Sequence, residues 1–254
     1  TFDYPEEFFK ERIHSIRRPR PDDFQIKEAA EKIKNSKNPI IISGGGVFYS
    51  NAMEELSNFA IKHNIPVTQT VMGYSTMKRD HSHYAGQIGG LGGKNTNDLA
   101  KETDLAIAIG TKLGDFTTGS WANFENENFK LVSINVSRFD ANKHLAQAVV
   151  GDAKVSLIEL SKALGDWKLG DEWNEKSQKE LKIWNEHIDK ESAPTNQEIP
   201  SYIQVIGAVY RNADPTDIAV TAAGGLVGEV VQVWRPKELN THESEWGFSC
   251  MSYE

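Results

Sequence analysis

Short apolar runs and longer amphipathic segments alternate along the chain. Five runs rich in Ile, Val, Leu and Ala predict strands that are buried on both faces: Ile40–Ser43, Pro66–Val71, Leu105–Ile109, Leu131–Val136 and Ala148–Val150. Between them, apolar residues recur three and four positions apart, which is the spacing of amphipathic helices. Strands that alternate with helices over residues 22–165 predict an α/β fold with a doubly wound, mostly parallel, Rossmann-like sheet.

The first residues carry two helix signals. Over residues 5–16, Phe and Ile side chains recur at helical spacing, so an N-terminal helix is predicted. A second helix begins after the proline-containing stretch that follows. Asp22 or Asp23 is expected to cap it, and Ile26 and Ile33 lie on its apolar face.

The pattern divides the chain into four parts. We expect a linker helix over 1–21, the central sheet domain over 22–165, and a charged linker helix over 166–198. The apolar stripe of that linker helix is Trp173, Ser177, Leu181, Trp184 and Ile188. Residues 199–254 predict the start of a second, truncated α/β domain, because only Asp217–Thr221 is a clear strand there. The chain is therefore interpreted as the middle of a longer protein.

Charge and composition narrow the class of protein. Lys and Arg number 28 and Asp and Glu number 36, giving a net charge of −8 over 254 residues. A nucleic-acid-binding protein is expected to be basic, so this class is disfavoured. The sequence has no run of 18 apolar residues, so no membrane span is predicted. Cys250 is the single cysteine, which favours a reducing cytoplasm.

Glycines concentrate in two places. Gly44–Gly46 lies between a predicted strand and a predicted helix, which is the context of a dinucleotide-binding turn. The fingerprint fails, because Tyr49 stands where its third glycine belongs and no acidic residue ends the next strand. A loop without a ligand is therefore favoured. The denser stretch Gly86–Gly93 is interpreted as a loop that packs against a neighbouring domain.

The sequence contains no catalytic or metal-binding set that we can assign. His81 and His83 lack further ligands at suitable spacing, so neither they nor other residues are assigned to a metal. The nucleophile motif G-x-S-x-G does not occur in the chain. No catalytic residue is proposed from the sequence.

The turn Ala222–Leu226 is the most promising binding feature. A strand that ends in Ala-Ala-Gly-Gly and enters a helix directs backbone N–H groups towards an anion, and the glycines leave room for a phosphate. A simple tight strand–helix turn explains the same residues equally well. Both interpretations stay open on this stretch alone.

Several stretches together resemble the thiamine-diphosphate enzymes of the acetohydroxyacid synthase type. They are the glycine-rich stretch Gly86–Gly119 with its internal strand, Thr70-Val71-Met72-Gly73, Leu131–Val136, and Val150-Gly151-Asp152 with the helix that follows. These stretches occur in the family's order, and they resemble its central domain over residues 22–165. Residues 199–254 resemble the opening of the family's diphosphate-binding domain. The stretches Thr1–Ile26 and Glu243–Glu254 resemble a branch that opens a cyclic 1,2-diketone in myo-inositol catabolism.

The resemblance implies a function and a set of site residues. It implies hydrolytic cleavage of a C–C bond in a cyclic 1,2-diketone to give 5-deoxyglucuronate, with thiamine diphosphate held through Mg²⁺. The residues matching the family's cofactor contacts are Ala223, Gly224, Gly225, Leu226, Ser249, Cys250 and Met251. The family's activating glutamate and metal motif have no counterpart here, so this chain alone is expected to be inactive. Relatives assemble as dimers or tetramers, and the same is expected here.

Bound FAD or ADP is not expected, although some relatives carry one in the central domain. The acidic residues that such relatives place after the fourth strand are Asn135 and Ser137 in this chain. Two other functions stay open: an acetolactate-forming carboligase of the same family, and a non-catalytic nucleotide-binding module that uses the same sheet.

Overall fold

A computed structural model of the chain describes residues 3–222 and 224–245. Its strands are β1 (Pro39–Ser43), β2 (Val67–Gln69), β3 (Tyr84–Gln87), β4 (Leu105–Ile109), β5 (Lys130–Asn135), β6 (Gln147–Val150), β7 (Ala219–Thr221) and β8 (His242–Ser244). Its α-helices are α1 (Asp23–Lys34), α2 (Gly45–Tyr49), α3 (Met53–His63), α4 (Lys94–Glu102), α5 (Asp115–Thr118), α6 (Arg138–Ala141), α7 (Ala153–Leu164), α8 (Asp171–Glu191), α9 (Tyr202–Asn212) and α10 (Leu226–Val233). Short 3₁₀ turns occur at Glu6–Phe9, Val71–Gly73 and Lys143–Leu145.

The first six strands form one sheet in the order β3-β2-β1-β4-β5-β6, and every neighbouring pair is parallel. This is the strand order of the doubly wound Rossmann fold. The predicted fold class is therefore confirmed. All five predicted strands are present, although β2 ends at Gln69 and is followed by a 3₁₀ turn.

One strand was missed by the sequence analysis. β3 includes Gly86 at a φ of +104°, and its pairing with β2 shifts register between Val67 and Thr68. Glycine is uncommon in strand interiors and marks bulges or close approaches. The glycine-rich composition therefore concealed a short edge strand that pairs only through β2.

Successive residues of the strands face opposite sides of the sheet and enter two separate cores. Ile41, Ile107 and Ile134 pack with α1, α3 and α7 on one face. Ile40 and Ile42 pack on the other face in a cluster that includes side chains of α4 and α8. Because both faces are covered, the strands read as continuous apolar runs.

The predicted helix over residues 5–16 is wrong. Only Glu6–Phe9 forms a 3₁₀ turn, and the remainder is irregular. The apolar side chains of this segment are exposed: Phe8, Phe9, Ile13 and Ile16. A short helix gains most of its stability from burying its apolar face, and no described residue covers this one. The second prediction holds, since Asp22 caps α1.

The charged linker helix is α8, and its predicted stripe contacts other helices. Trp173, Ser177, Leu181 and Ile188 are buried, and Trp184 packs against the cluster that joins α8, α9 and α10. The segment after residue 199 contains two strands rather than one, because β8 pairs in parallel with β7. Within the described ranges, no helix is both long and apolar enough to cross a membrane.

Candidate functional site

The two strands β7 and β8 pair in parallel and form a sheet of their own. Their register pairs Thr221 with Ser244, and the Thr221 hydroxyl donates to Ser244 Oγ at 3.0 Å. The turn through Gly224–Leu226 follows β7, and the stretch that leads to Ser249–Met251 follows β8. Since the strands are parallel, both segments leave from the carboxyl edge, where open α/β sheets bind ligands.

The turn after β7 has the geometry expected of an anion-binding turn. Gly224 has a φ of +130°, and a Cβ at Gly224 or Gly225 would meet no heavy atom of the described residues within 4 Å, apart from its chain neighbours. Gly225 caps α10, which begins at the exposed Leu226. The first N–H groups of a helix have no partner within the helix and carry its positive dipole end. A helix N-terminus of this kind favours the binding of an anion such as a phosphate group.

Four of the seven predicted site residues lie outside the described residues. They are Ala223 in the turn after β7, and Ser249, Cys250 and Met251 beyond β8. Their role in holding a cofactor stays a prediction. Gly224, Gly225 and Leu226 are the predicted residues whose surroundings can be described.

A tyrosine ties this second sheet to the six-stranded one. The Tyr74 hydroxyl donates to the carbonyl oxygens of Val231 and Trp234, and its ring meets the His242 ring edge-on at 4.8 Å. Burial raises the pKa of Tyr74 well above its usual value, so the hydroxyl keeps its proton as a donor. The loop after β2 thereby fixes both α10 and β8.

The glycine-rich loop contacts the same helix. The Leu91 carbonyl accepts a hydrogen bond from the Gln232 side chain, and the Trp184 indole donates to Gln232 Oε1 at 3.1 Å. A Cβ at Gly228 would lie 3.3 Å from Leu91 Cδ2. The loop therefore packs against α10, next to the candidate turn. No local sequence pattern indicates a role for Gln232 or Tyr74, because their hydrogen-bond partners are distant along the chain.

The other glycine cluster is explained by contacts within the protein. A Cβ at Gly44 would lie 2.5 Å from the Gly110 carbonyl oxygen, and one at Gly46 would lie 2.5 Å from Gly110 Cα. The loops after β1 and β4 thus touch backbone to backbone. Asn135 donates to the Thr111 carbonyl oxygen at 3.1 Å, and Ser137 caps α6. These polar side chains hold the loops themselves.

The histidines His81 and His83 form hydrogen bonds rather than a metal site. His83 Nε2 lies 2.9 Å from Asn64 Oδ1, and His81 Nε2 lies 2.8 Å from Ser57 Oγ. The backbone N–H of His83 donates to His81 Nδ1 at 3.1 Å. No group of three or more His, Cys, Asp or Glu residues within the described ranges is placed to bind a metal ion.

The pKa of each histidine follows from burial. Burial lowers the pKa of His83 to about 4, helped by the neighbouring His81, and it also lowers the pKa of His81. The Asn64 amide nitrogen donates to the carbonyl oxygens of Leu169 and Gly170, so Asn64 Oδ1 is the acceptor towards His83. The neutral ring of His83 therefore carries its proton on Nε2.

Comparison with known proteins gives the family. Residues 26–160, more than half of the chain, match the family model for the central domain of thiamine pyrophosphate enzymes. The chain belongs to this family, and the six-stranded sheet described above is its central domain.

The similarity to curated relatives extends over the entire chain. Three examples are each called 3D-(3,5/4)-trihydroxycyclohexane-1,2-dione hydrolase. The protein of Clostridium tetani is 36% identical over 277 residues, that of Clostridium perfringens strain 13 is 34% identical over 277 residues, and that of Bacillus anthracis is 34% identical over 278 residues. In each case the match covers 100% of this chain and 43% of the relative. The chain thus spans less than half the length of these relatives.

Proposed function

We propose that the protein containing this chain is a thiamine-diphosphate-dependent hydrolase. Its substrate is a trihydroxycyclohexane-1,2-dione, whose C–C bond it cleaves to give 5-deoxyglucuronate in myo-inositol catabolism. The name shared by the relatives and the similarity over 100% of this chain support the substrate. The observation that supports the cofactor site is the parallel pairing of β7 with β8, because the chain then leaves both strands at the same edge of their sheet.

The residues in the turn after β7 hold the diphosphate end of the cofactor. Gly225 is the N-cap of α10 and Leu226 is its first residue, so their backbone N–H groups lie at the end of the helix that favours an anion. When bound, thiamine diphosphate supplies the carbanion that attacks the substrate carbonyl and then accepts its electrons. Ala223 completes this turn, and Ser249, Cys250 and Met251 approach the rings of the cofactor from the segment after β8.

A magnesium ion is part of the proposal. Glu229 lies in the first turn of α10, so a diphosphate bound at this turn adds negative charge to a helix end that already carries a carboxylate. A divalent cation bound to the diphosphate offsets this repulsion. Its protein ligands come from outside this chain. We further propose that the whole protein is a cytoplasmic homodimer or homotetramer, as the family resemblance implies.

The activity is tested on the whole protein that contains this chain. We expect turnover of the cyclic dione only when thiamine diphosphate and Mg²⁺ are both present, and no carboligation of pyruvate. Turnover after complete removal of the cofactor would contradict the proposal. Preferential formation of acetolactate from pyruvate would instead assign the protein to the carboligases.

The cofactor turn is tested with one glycine variant and a matched control. Gly225 has φ −66° and ψ −33°, which alanine adopts without strain. A Cβ there would meet no described residue within 4 Å, apart from its chain neighbours. Gly225→Ala therefore should fold normally, while its methyl group enters the space assigned to the diphosphate. We expect the Kd for thiamine diphosphate to rise about tenfold.

Gly114→Ala is the control for this variant. Gly114 also caps a helix, α5, and a Cβ there also meets no atom within 4 Å. It precedes α5 in the loop after β4 and does not belong to the turn after β7. The Kd of the Gly114→Ala variant for thiamine diphosphate should equal that of the unaltered protein. Equal Kd values for both variants would overturn the placement of the diphosphate at this turn.

A further inference from the structure

A narrow polar cavity lies where the six-stranded sheet meets α8 and α10. Its lining includes Tyr84 and Gln87 from β3, Asn95 from α4, Trp184 from α8, Val231 from α10, and Arg235 just after it. The cavity offers about 20 Å³ to the centre of a water-sized sphere. A cavity needs about 10–15 Å³ by this measure to hold one water molecule.

Gln87 is the central observation. Its side chain is 4% exposed, yet neither Oε1 nor Nε2 has a hydrogen-bond partner among the described residues. Two more buried atoms on the cavity lining, Asn95 Oδ1 and Arg235 Nε, also lack partners within the same part of the chain. Buried polar groups without partners cost free energy, and an ordered water is a common way to satisfy them.

The four unpartnered atoms on the cavity lining determine which kind of molecule can bind there. Gln87 Nε2 and Arg235 Nε are donors, whereas Gln87 Oε1 and Asn95 Oδ1 are acceptors. An anion would face the two oxygens, and a cation would face the guanidinium. Water both donates and accepts two hydrogen bonds, so it matches this mixed set. We propose that the cavity binds one or two ordered water molecules that bridge Gln87, Asn95 and Arg235.

This hydration site joins parts of the chain that are far apart in sequence. Gln87 belongs to the six-stranded sheet, while Arg235 follows α10 and donates to the Asp189 carboxylate of α8. Bridging water therefore extends a polar network from the sheet to the helices that carry the candidate cofactor turn. The site does not depend on the proposed catalytic activity.

A neighbouring glutamine shows that burial alone does not leave an amide nitrogen unpartnered. Gln69 pairs with Gln87 in the register of β2 and β3 and is fully buried. Its Nε2 donates to Thr76 Oγ1 at 3.2 Å and to the Met77 carbonyl oxygen at 3.3 Å. Gln69 is absent from the cavity lining. Gln69 Oε1 also lacks a partner among the described residues, so the contrast concerns the amide nitrogen alone. Of the two glutamines, the one whose amide nitrogen has no partner is the one on the cavity lining.

The test is a crystal structure of the whole protein at a resolution that shows ordered water. We expect a density peak about 2.7–3.2 Å from a Gln87 side-chain atom and from Arg235 Nε. A direct hydrogen bond between Gln87 and another protein group, with no peak in the cavity, overturns the proposal. Soaking the crystals in bromide distinguishes a bound water from a bound anion. An anomalous bromide peak in the cavity would show an anion site and would also overturn the proposal.

Two variants extend the test. Gln87→Met keeps the length of the side chain and removes both polar atoms, so the water peak should be lost. Gln178→Met is the matched control, since Gln178 donates to the Tyr84 carbonyl oxygen at 2.8 Å and does not line the cavity. The peak should persist in that control. A water peak that persists unchanged in Gln87→Met contradicts the proposed bridge to Gln87. If a variant does not fold, the crystal structure of the unaltered protein alone tests the proposal.

Discussion

Arg18 and Asp152 fasten the N-terminal segment to the central domain. Arg18 Nη1 donates to Asp152 Oδ2 at 2.9 Å, and the Ser50 hydroxyl donates to the same oxygen at 2.8 Å. The other carboxylate oxygen of Asp152 accepts from the Val155 N–H and so caps α7. One carboxylate therefore begins a helix and holds a segment 134 positions away in sequence.

Removing this carboxylate should cost more than removing an ordinary cap. Asp152→Ala loses the cap of α7 and removes the acceptor shared by the partly buried Arg18 guanidinium and the buried Ser50 hydroxyl. We expect the free energy of unfolding to fall by about 2–4 kcal/mol in a urea titration. Asp22→Ala, which removes only the exposed cap of α1, should cost about 1 kcal/mol. Equal losses would contradict a role for the Arg18 pair.

The close contact of two loops should make Gly46 intolerant of a side chain. A Cβ at Gly46 would lie 2.5 Å from Gly110 Cα, so Gly46→Ala must push the loops after β1 and β4 apart. We expect the free energy of unfolding to fall by about 2–3 kcal/mol. Gly114→Ala, where a Cβ meets open space, should change it by less than about 0.5 kcal/mol. A tolerated Gly46→Ala would show that these loops do not touch.

Tyr74 should control how firmly α10 is held. Tyr74→Phe removes the hydroxyl that donates to the Val231 and Trp234 carbonyl oxygens but keeps the ring against His242. We expect a loss of about 1–2 kcal/mol, and faster hydrogen exchange over residues 226–245 than over β1 or β4. Tyr49→Phe is the control, since Tyr49 is 68% exposed. Uniformly faster exchange across the chain would argue against a local role.

Stability should fall as the pH falls below neutral. The ordinary pKa of histidine is 6.5, and burial lowers the pKa of His83 to about 4. His83 therefore binds a proton more weakly in the folded state than in the unfolded chain. Its contribution to stability is fully present above pH 6.5 and is lost as the pH falls towards 4. We expect the free energy of unfolding, measured by urea titration, to decrease steadily across this range.

The variant His83→Gln separates the effect of protonating residue 83 from the effect of its packing. His83→Gln retains a donor towards Asn64 Oδ1 but cannot accept a proton in this range, so the dependence on pH should become shallower. His14→Gln changes a histidine on the exposed N-terminal segment and should leave the dependence unaltered. An identical pH dependence in His83→Gln and the unaltered protein would exclude His83 as a contributor.

The candidate site was only partly predictable. The Ala-Ala-Gly-Gly turn was recognisable because glycines between a strand and a helix are unusual and have a direct steric consequence. The pairing of β7 with β8 was not, because His242–Ser244 is short, mixed in polarity and preceded by an irregular stretch. The contacts of Tyr74 and Gln232 likewise depend on how distant segments pack, and no local pattern encodes them.

The sequence by itself determined five of the six strands of the central sheet and the capped start of α1, whereas the glycine-containing β3 was not predicted. Continuous apolar runs can be buried on both faces only in a covered parallel sheet, and capping residues such as Asp22 fixed helix starts through local hydrogen bonds. Local pattern was sufficient wherever the stabilising interaction lay within a few residues.

Only the tertiary structure decided what the glycines and the N-terminal apolar residues do. Gly44 and Gly46 are required by the backbone of Gly110, which no sequence pattern places beside them. The apolar residues of 5–16 resemble a helix face, yet a helix forms only where another surface covers that face, and none of the described residues does so. The physical reason is the same in both cases, since close packing joins segments that are remote along the chain.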